Sequence, residues 1–150
     1  NPHVDDIFEA SIEAMRAQGA EIVDDIEIET EGMYDPEYEV LLYEFKADLE
    51  AYLESSAAPF DTLAEIIAFN EAHASSVMPV FGQEIFLEAE KKGPLTDEAY
   101  LTALADSKRI ATEGLDGAMD EHDLDALIAI TNGPAWMIDH VNGDSFGIGS

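Results

Sequence analysis

The chain has no cysteine among its 150 residues, and only six lysines and arginines. Without cysteine there is no disulfide, no thiolate-bound metal and no cysteine nucleophile. So few basic residues exclude recognition of nucleic acid through its phosphates, which takes clustered lysine and arginine. They equally exclude an anionic membrane surface as a partner. No apolar run approaches the ~20 residues of a membrane-spanning helix, and no signal peptide is visible. In a fragment the missing signal peptide says nothing about targeting, so the compartment stays unknown, with a soluble, cytoplasmic chain expected over a secreted one. Neither serine pair, Ser55-Ser56 or Ser75-Ser76, has a glycine beside it. The one dense group of possible metal ligands, Asp120 to Asp123 with Asp125, lacks the spacing and the glycine of a calcium loop and reads as a solvated turn. Neither metal nor cofactor is expected.

Acidic residues are abundant: 34 aspartates and glutamates give a formal net charge of −28. They are spread along the whole chain. That distribution fits a solvated acidic surface of the kind adapted to high salt, where screening removes the self-repulsion. An acidic binding protein that mimics the DNA backbone would instead concentrate its acids on one face. Disorder is excluded because apolar residues make up 47% of the chain and recur periodically. A chain of this length suits one domain and buries roughly 68–70% of its unfolded surface.

Asn1-Pro2 reads as a helix cap followed by proline in the first turn. Val4, Ile7, Phe8, Ile12 and Met15 then repeat at helical spacing, and Gly19 suits the position just past the helix end. Residues 20–28 carry Ile22, Val23, Ile26 and Ile28 with little helical period and predict a strand, with Asp24-Asp25 as the place where it can break. A loop over 29–35 leads to a helix opened by Pro36, with Tyr38, Leu41, Leu42, Phe45, Leu49, Tyr52 and Leu53 on its apolar face. Asp61 or Thr62 caps the next helix, with Glu65 available for a capping box to Thr62, and that helix runs to about Ala74. A short helix spans 83–92, with Ile85, Phe86 and Ala89 inward and Gly93-Pro94 as its stop. Thr96 caps a longer helix that reaches Thr112 or continues to Glu121. Residues 126–130, Ala-Leu-Ile-Ala-Ile, predict a buried strand. The order is α-β-α-α-α-α-β, predominantly helical, with too few strands for a complete sheet.

The end of the chain is the most suggestive part. The strand at 126–130 opens into Thr131-Asn132-Gly133-Pro134-Ala135-Trp136, followed by Asp139 and Asn142-Gly143-Asp144. Open α/β sheets build their ligand mouths in such loops, at the carboxyl ends of strands. No closing element follows, so the chain reads as part of something larger.

Several blocks in this order resemble the C-terminal portion of the amidase signature family. They are the helix–glycine–strand pattern of 4–23, the segment Leu41-Leu42-Tyr43-Glu44-Phe45-Lys46-Ala47-Asp48-Leu49 with Tyr52-Leu53, and Thr62 to Asn70. Phe81-Gly82-Gln83-Glu84, Leu124 to Ala129 and Thr131 to Trp136 complete the set. The resemblance covers nearly the whole chain, as a single partial domain over 1–150. It implies an α/β class, a predominantly helical piece of an amidase-type α/β/α sandwich, and hydrolysis of carboxamide C–N bonds without a cofactor. The family resembles itself in a Lys–Ser–Ser triad, in which a lysine kept neutral by burial takes the proton of the attacking serine through a second serine. That motif is missing here, and in the family it precedes the matching region. No catalytic residue is therefore expected in this chain, which taken alone is expected to be inert. Ile130 departs from the proline common in relatives before the Thr-x-Gly-Pro segment.

Asn132, Trp136 and Asp139 are the residues expected near the substrate, with Asn142 and Asp144 behind them. The expected partners are a small-molecule amide in the full-length enzyme and the remainder of the amidase domain, with no nucleic acid and no membrane. Two other readings stand beside this one: a free-standing acidic binding protein, and a non-catalytic remnant.

Overall fold

The computed structural model of the chain describes residues 1–131 and 133–143. Among these, six helices run in order: α1 Pro2–Ala17, α2 Tyr34–Ser55, α3 Leu63–Ala72, α4 Ala74–Val77, α5 Glu84–Glu90 and α6 Glu98–His122. The described residues contain no strand, only an isolated antiparallel bridge between Asp139 and Gly143. The chain divides into two compact units. A central unit comprises Glu29–Gly114, and a terminal unit comprises Asn1–Ile28 with the residues from Leu115 on.

In the central unit α2 packs on α3 and α5, and α3 packs on α5. Their shared core is Leu42, Leu63, Ile67 and Ala89, with Tyr38, Phe45, Leu49 and Phe86 packed against it. Leu63 is fully buried, which contributes about 1.5–3 kcal/mol by removing its side chain from water. Phe45 and Phe86 meet with ring centroids 5.2 Å apart. The capping box at α3 forms as expected: Thr62 Oγ1 accepts from the Glu65 amide, and the Glu65 carboxylate accepts from the Thr62 amide at 3.2 Å. The same carboxylate accepts from the Asp61 amide at 2.7 Å. These backbone donors, that of Asp61 first, hold the Glu65 carboxyl below its ordinary value.

The face of α2 differs from the expected one. Leu41 is 48% and Tyr52 65% exposed, as is Ile85 of α5 at 52%, whereas Tyr43 is buried. The buried stripe of α2 is Tyr38, Leu42, Phe45, Leu49 and Leu53, a strict three-to-four spacing that leaves Leu41 and Tyr52 at its margin. Tyr43 packs on Tyr100 of α6 at 5.5 Å, so α2 buries a second side that its polar neighbours conceal.

The terminal unit begins with α1, where Asn1 accepts from the His3 amide. Past its end, the Ala20 amide donates to Met15 and the Gly19 amide to Arg16. This double closure needs the left-handed backbone of Gly19, at φ +96°. At the other helix end Asp123 takes the same role with φ +52°, and the Leu124 amide reaches back to Met119. The two expected strands do not form. Residues 20–28 are interrupted by the left-handed Asp25 at φ +60°, and neither they nor 126–130 find a ladder partner among the described residues. A strand exists only through its neighbours, because its backbone donors and acceptors point sideways.

Candidate functional site

Of the residues expected near substrate, Asn132 lies outside the described residues, as does Asp144. Trp136 sits in the irregular segment after 126–130 and is 38% exposed. Asp139 anchors a turn three residues later. Its amide donates to the Gly143 carbonyl at 3.2 Å, and the Gly143 amide returns the bond at 2.8 Å. One carboxylate oxygen accepts from the amides of Val141 at 2.8 Å and Asn142 at 3.1 Å. The other accepts from the Asn142 side chain at 2.7 Å. The Asn142 amide group, with the backbone donors behind it, holds the Asp139 carboxyl below its ordinary value. The structure thus joins Asp139 directly to Asn142 and fixes the turn that follows Trp136. Gly143 closes that turn at φ +90°, a conformation that favours glycine. Beside it stand Met137, 91% exposed, and Val141, 90% exposed.

The serines have ordinary local partners. Ser55 Oγ donates to the Tyr52 carbonyl, Ser56 Oγ to Leu53 and Ser76 Oγ to His73, each three residues back. His73 is stacked on Phe69 at 4.3 Å, with Nδ1 2.8 Å from the Phe69 carbonyl oxygen. That bond fixes the ring to its own helix. Among the described residues no group of three or more acidic or histidine side chains is arranged to hold a metal ion.

A cleft of about 570 Å³ lies in the central unit, lined by Glu29, Glu31, Asp35, Asp106, Arg109 and Glu113 around Ile110. Arg109 is paired along its own helix with Glu113 at 2.9 Å and Asp106 at 3.5 Å. No serine, histidine or lysine lines this cleft, whose ionisable groups are carboxylates and Arg109.

Lys46 and Lys92 have a role that their charge disguised. The Lys46 ammonium donates to the Glu90 carbonyl at 2.8 Å and to the Lys92 carbonyl at 3.2 Å, and lies 3.4 Å from the Glu90 carboxylate. It thereby satisfies carbonyls left open at the end of α5 and complements the negative end of that helix. Lys92 grips both oxygens of Glu39, at 2.6 and 2.7 Å, above the ring of Tyr43. A signal for Lys46 was present, four residues after Leu42 and three before Leu49, which puts it beside the buried stripe. Both lysines take part in helix packing.

No protein-family model matches the chain. It is 33% identical over 131 residues to a probable amidase of Arabidopsis thaliana, a match covering 83% of this chain and 25% of that relative. Among solved structures it is similar to a peptide amidase in complex with the competitive inhibitor chymostatin. There the identity is 42% and the TM-score 0.82, over 99% of this chain and 30% of that one. With the native peptide amidase from Stenotrophomonas maltophilia the identity is 43% and the TM-score 0.76, over 90% of this chain and 27% of that one. The chain thus spans between 25% and 30% of the length of these relatives.

Proposed function

We propose, from the likeness to amidases over nearly the whole chain, that it is a C-terminal portion of an amidase-signature enzyme and forms part of an amidase-like hydrolase cleaving carboxamide C–N bonds. The observation that carries this reading is the 42% identity to a peptide amidase, at TM-score 0.82, over 99% of the chain. The piece contributes the outer helical layer of an α/β/α sandwich, as one partial domain, and one wall of the substrate mouth. Trp136 and the Asp139 turn form that wall, and Asn132 is assigned to it from the sequence alone. Asp139 holds the turn, since both its carboxylate oxygens already accept bonds within it. The serine nucleophile and its lysine base lie in the other portion of the enzyme, and the chain by itself is inert. The hydroxyls of Ser55, Ser56 and Ser76, committed to backbone carbonyls, support that part of the reading. The acidic-mimic alternative is not favoured, because it accounts for neither amidase likeness.

A chimera in which these 150 residues replace the matching portion of the Stenotrophomonas maltophilia peptide amidase tests the reading by ammonia release from a peptide amide. Activity is expected, with Trp136→Ala raising KM more than it lowers kcat. An inactive chimera that folds, or a Trp136→Ala variant with unchanged kinetics, contradicts the role given to this wall. The charge of −28 further implies adaptation to salt, with stability rising into the molar range. A Tm that is flat or falling between low and molar KCl removes that idea.

A further inference from the structure

The sequence holds two Asn-Gly pairs, Asn132-Gly133 and Asn142-Gly143. An asparagine followed by glycine is open to attack on its own side chain, because glycine has no side chain to shield its backbone nitrogen. At the second pair, the Gly143 nitrogen gives its proton to water and attacks Cγ of Asn142. The N–Cγ bond forms and the Cγ–Nδ2 bond breaks, and Nδ2 leaves as ammonia with a proton taken from water. A second water then opens the succinimide ring at either carbonyl, leaving aspartate or isoaspartate at 142. Water is the sole co-reactant, and it has access: Asn142 is exposed, and its neighbour Val141 is 90% exposed.

In the folded turn both reacting groups are held, and by the same residue. The Gly143 amide, whose proton must leave first, donates it to the Asp139 carbonyl at 2.8 Å. The Asn142 side-chain amide, the group to be attacked, donates to one Asp139 carboxylate oxygen at 2.7 Å. The Asn142 backbone amide donates to the other oxygen at 3.1 Å, beside that of Val141 at 2.8 Å. Attack therefore waits on an opening of the turn. We propose that Asn142-Gly143 is a deamidation site, and that Asp139 sets its rate by holding the turn closed. The product does not reclose the turn. A carboxylate at 142 has no proton for Asp139 and sets a second negative charge against it, and isoaspartate also adds a carbon to the backbone. The modification is thus a one-way change, from a fixed turn after Trp136 to an open one.

The test is to incubate the purified 150-residue chain in mildly alkaline buffer, with and without urea, and to measure asparagine, aspartate and isoaspartate at 142 by peptide mapping. Conversion of Asn142 is expected to run at least about tenfold faster in urea than in the folded chain, in proportion to the population of the open turn. Without urea, Asp139→Ala is expected to recover most of that difference. Asp139→Asn, which keeps an acceptor oxygen, is expected to recover part of it. Amide exchange on the same samples is expected to show α1, α2 and α3 protected in both variants. Asn142→Asp is expected to speed exchange of the Val141 and Gly143 amides about tenfold or more, as an open turn requires. Equal conversion of Asn142 with and without urea, while the helices are protected only without it, overturns the proposal. So does Asp139→Ala converting at the rate of the parent chain, or Asn142 left intact in urea while Asn132 of the same chain converts. Asn142→Asp with unchanged exchange at Val141 and Gly143 overturns the one-way change.

Discussion

In the central unit Leu63 is fully buried, with Leu42, Ile67 and Ala89 around it. In the terminal unit the described residues bury Ile12 and Ala118, while Ile7, Ile128, Ile138, Met137 and Val141 are about half to nine-tenths exposed. Both units come from one composition, so apolar content does not separate them. The difference is the kind of partner each needs. The helices of the central unit satisfy their own backbones and then find apolar faces within 86 residues of one another (Glu29–Gly114). The extended segments of the terminal unit need neighbours for their backbones first, and only then does their apolar character find cover.

The largest expected effect that separates the units is Leu63→Ala. Emptying the most buried site of the central core should cost about 3 kcal/mol. Amide exchange in α2, α3 and α5 should accelerate while α1 keeps its rates. Equal loss of protection in α1 would mean that the two units unfold as one. Next comes Lys46→Met, which keeps the side-chain stem and removes the donor to the Glu90 and Lys92 carbonyls. A cost of about 2 kcal/mol is expected in urea unfolding, and a change within experimental error would return Lys46 to the solvated surface.

Alkali should also act on the central unit first. The Tyr38 and Tyr100 hydroxyls donate to Glu88 at 2.9 Å and Glu44 at 2.7 Å. Those bonds to carboxylates raise both phenols above their ordinary 10.0. Tyr43 is raised chiefly by burial, with Asp97 adding to it. A raised folded-state pKa contributes stability that is complete below pH 10 and is lost as pH climbs through the raised value. The central unit should therefore loosen above pH 10, and Tyr100→Phe should flatten part of that slope. A titration that leaves α2 exchange unchanged between pH 9 and pH 11, after correction for intrinsic rates, would contradict this. The smallest effect is expected at Ile128→Ala. In the chain alone it should change stability by no more than about 0.5 kcal/mol, because Ile128 has little to lose. A cost near that of Leu63→Ala would give the terminal unit a core of its own.

Helices α1 and α3 were legible because they carry their own punctuation, whereas α2, α4 and α5 have no side-chain cap. Asn1, Thr62 with Glu65, and Gly19 all cap as their chemistry requires. The second buried side of α2 was not legible, because Tyr43 and Lys46 stand among acids and their use depends on Asp97, Tyr100 and the end of α5, more than forty residues away. Nor could periodicity say that 20–28 and 126–130 would stand unpaired, since it reports which residues want cover and not whether cover is available. For the candidate mouth, sequence pointed to the loop of Trp136. The structure adds that Asp139 and Asn142 hold the turn after it. Charge spread misled in one respect, since Lys92 and Glu39 are half-buried and paired with each other rather than fully solvated.

The most direct test is to incubate the purified 150-residue chain with a peptide amide and measure ammonia, alongside the chimera that carries the same 150 residues. No release above the blank is expected from the chain alone, and clear release from the chimera. Turnover by the chain alone, abolished by replacing one of its own serines, would place the catalytic centre within these residues and contradict the account.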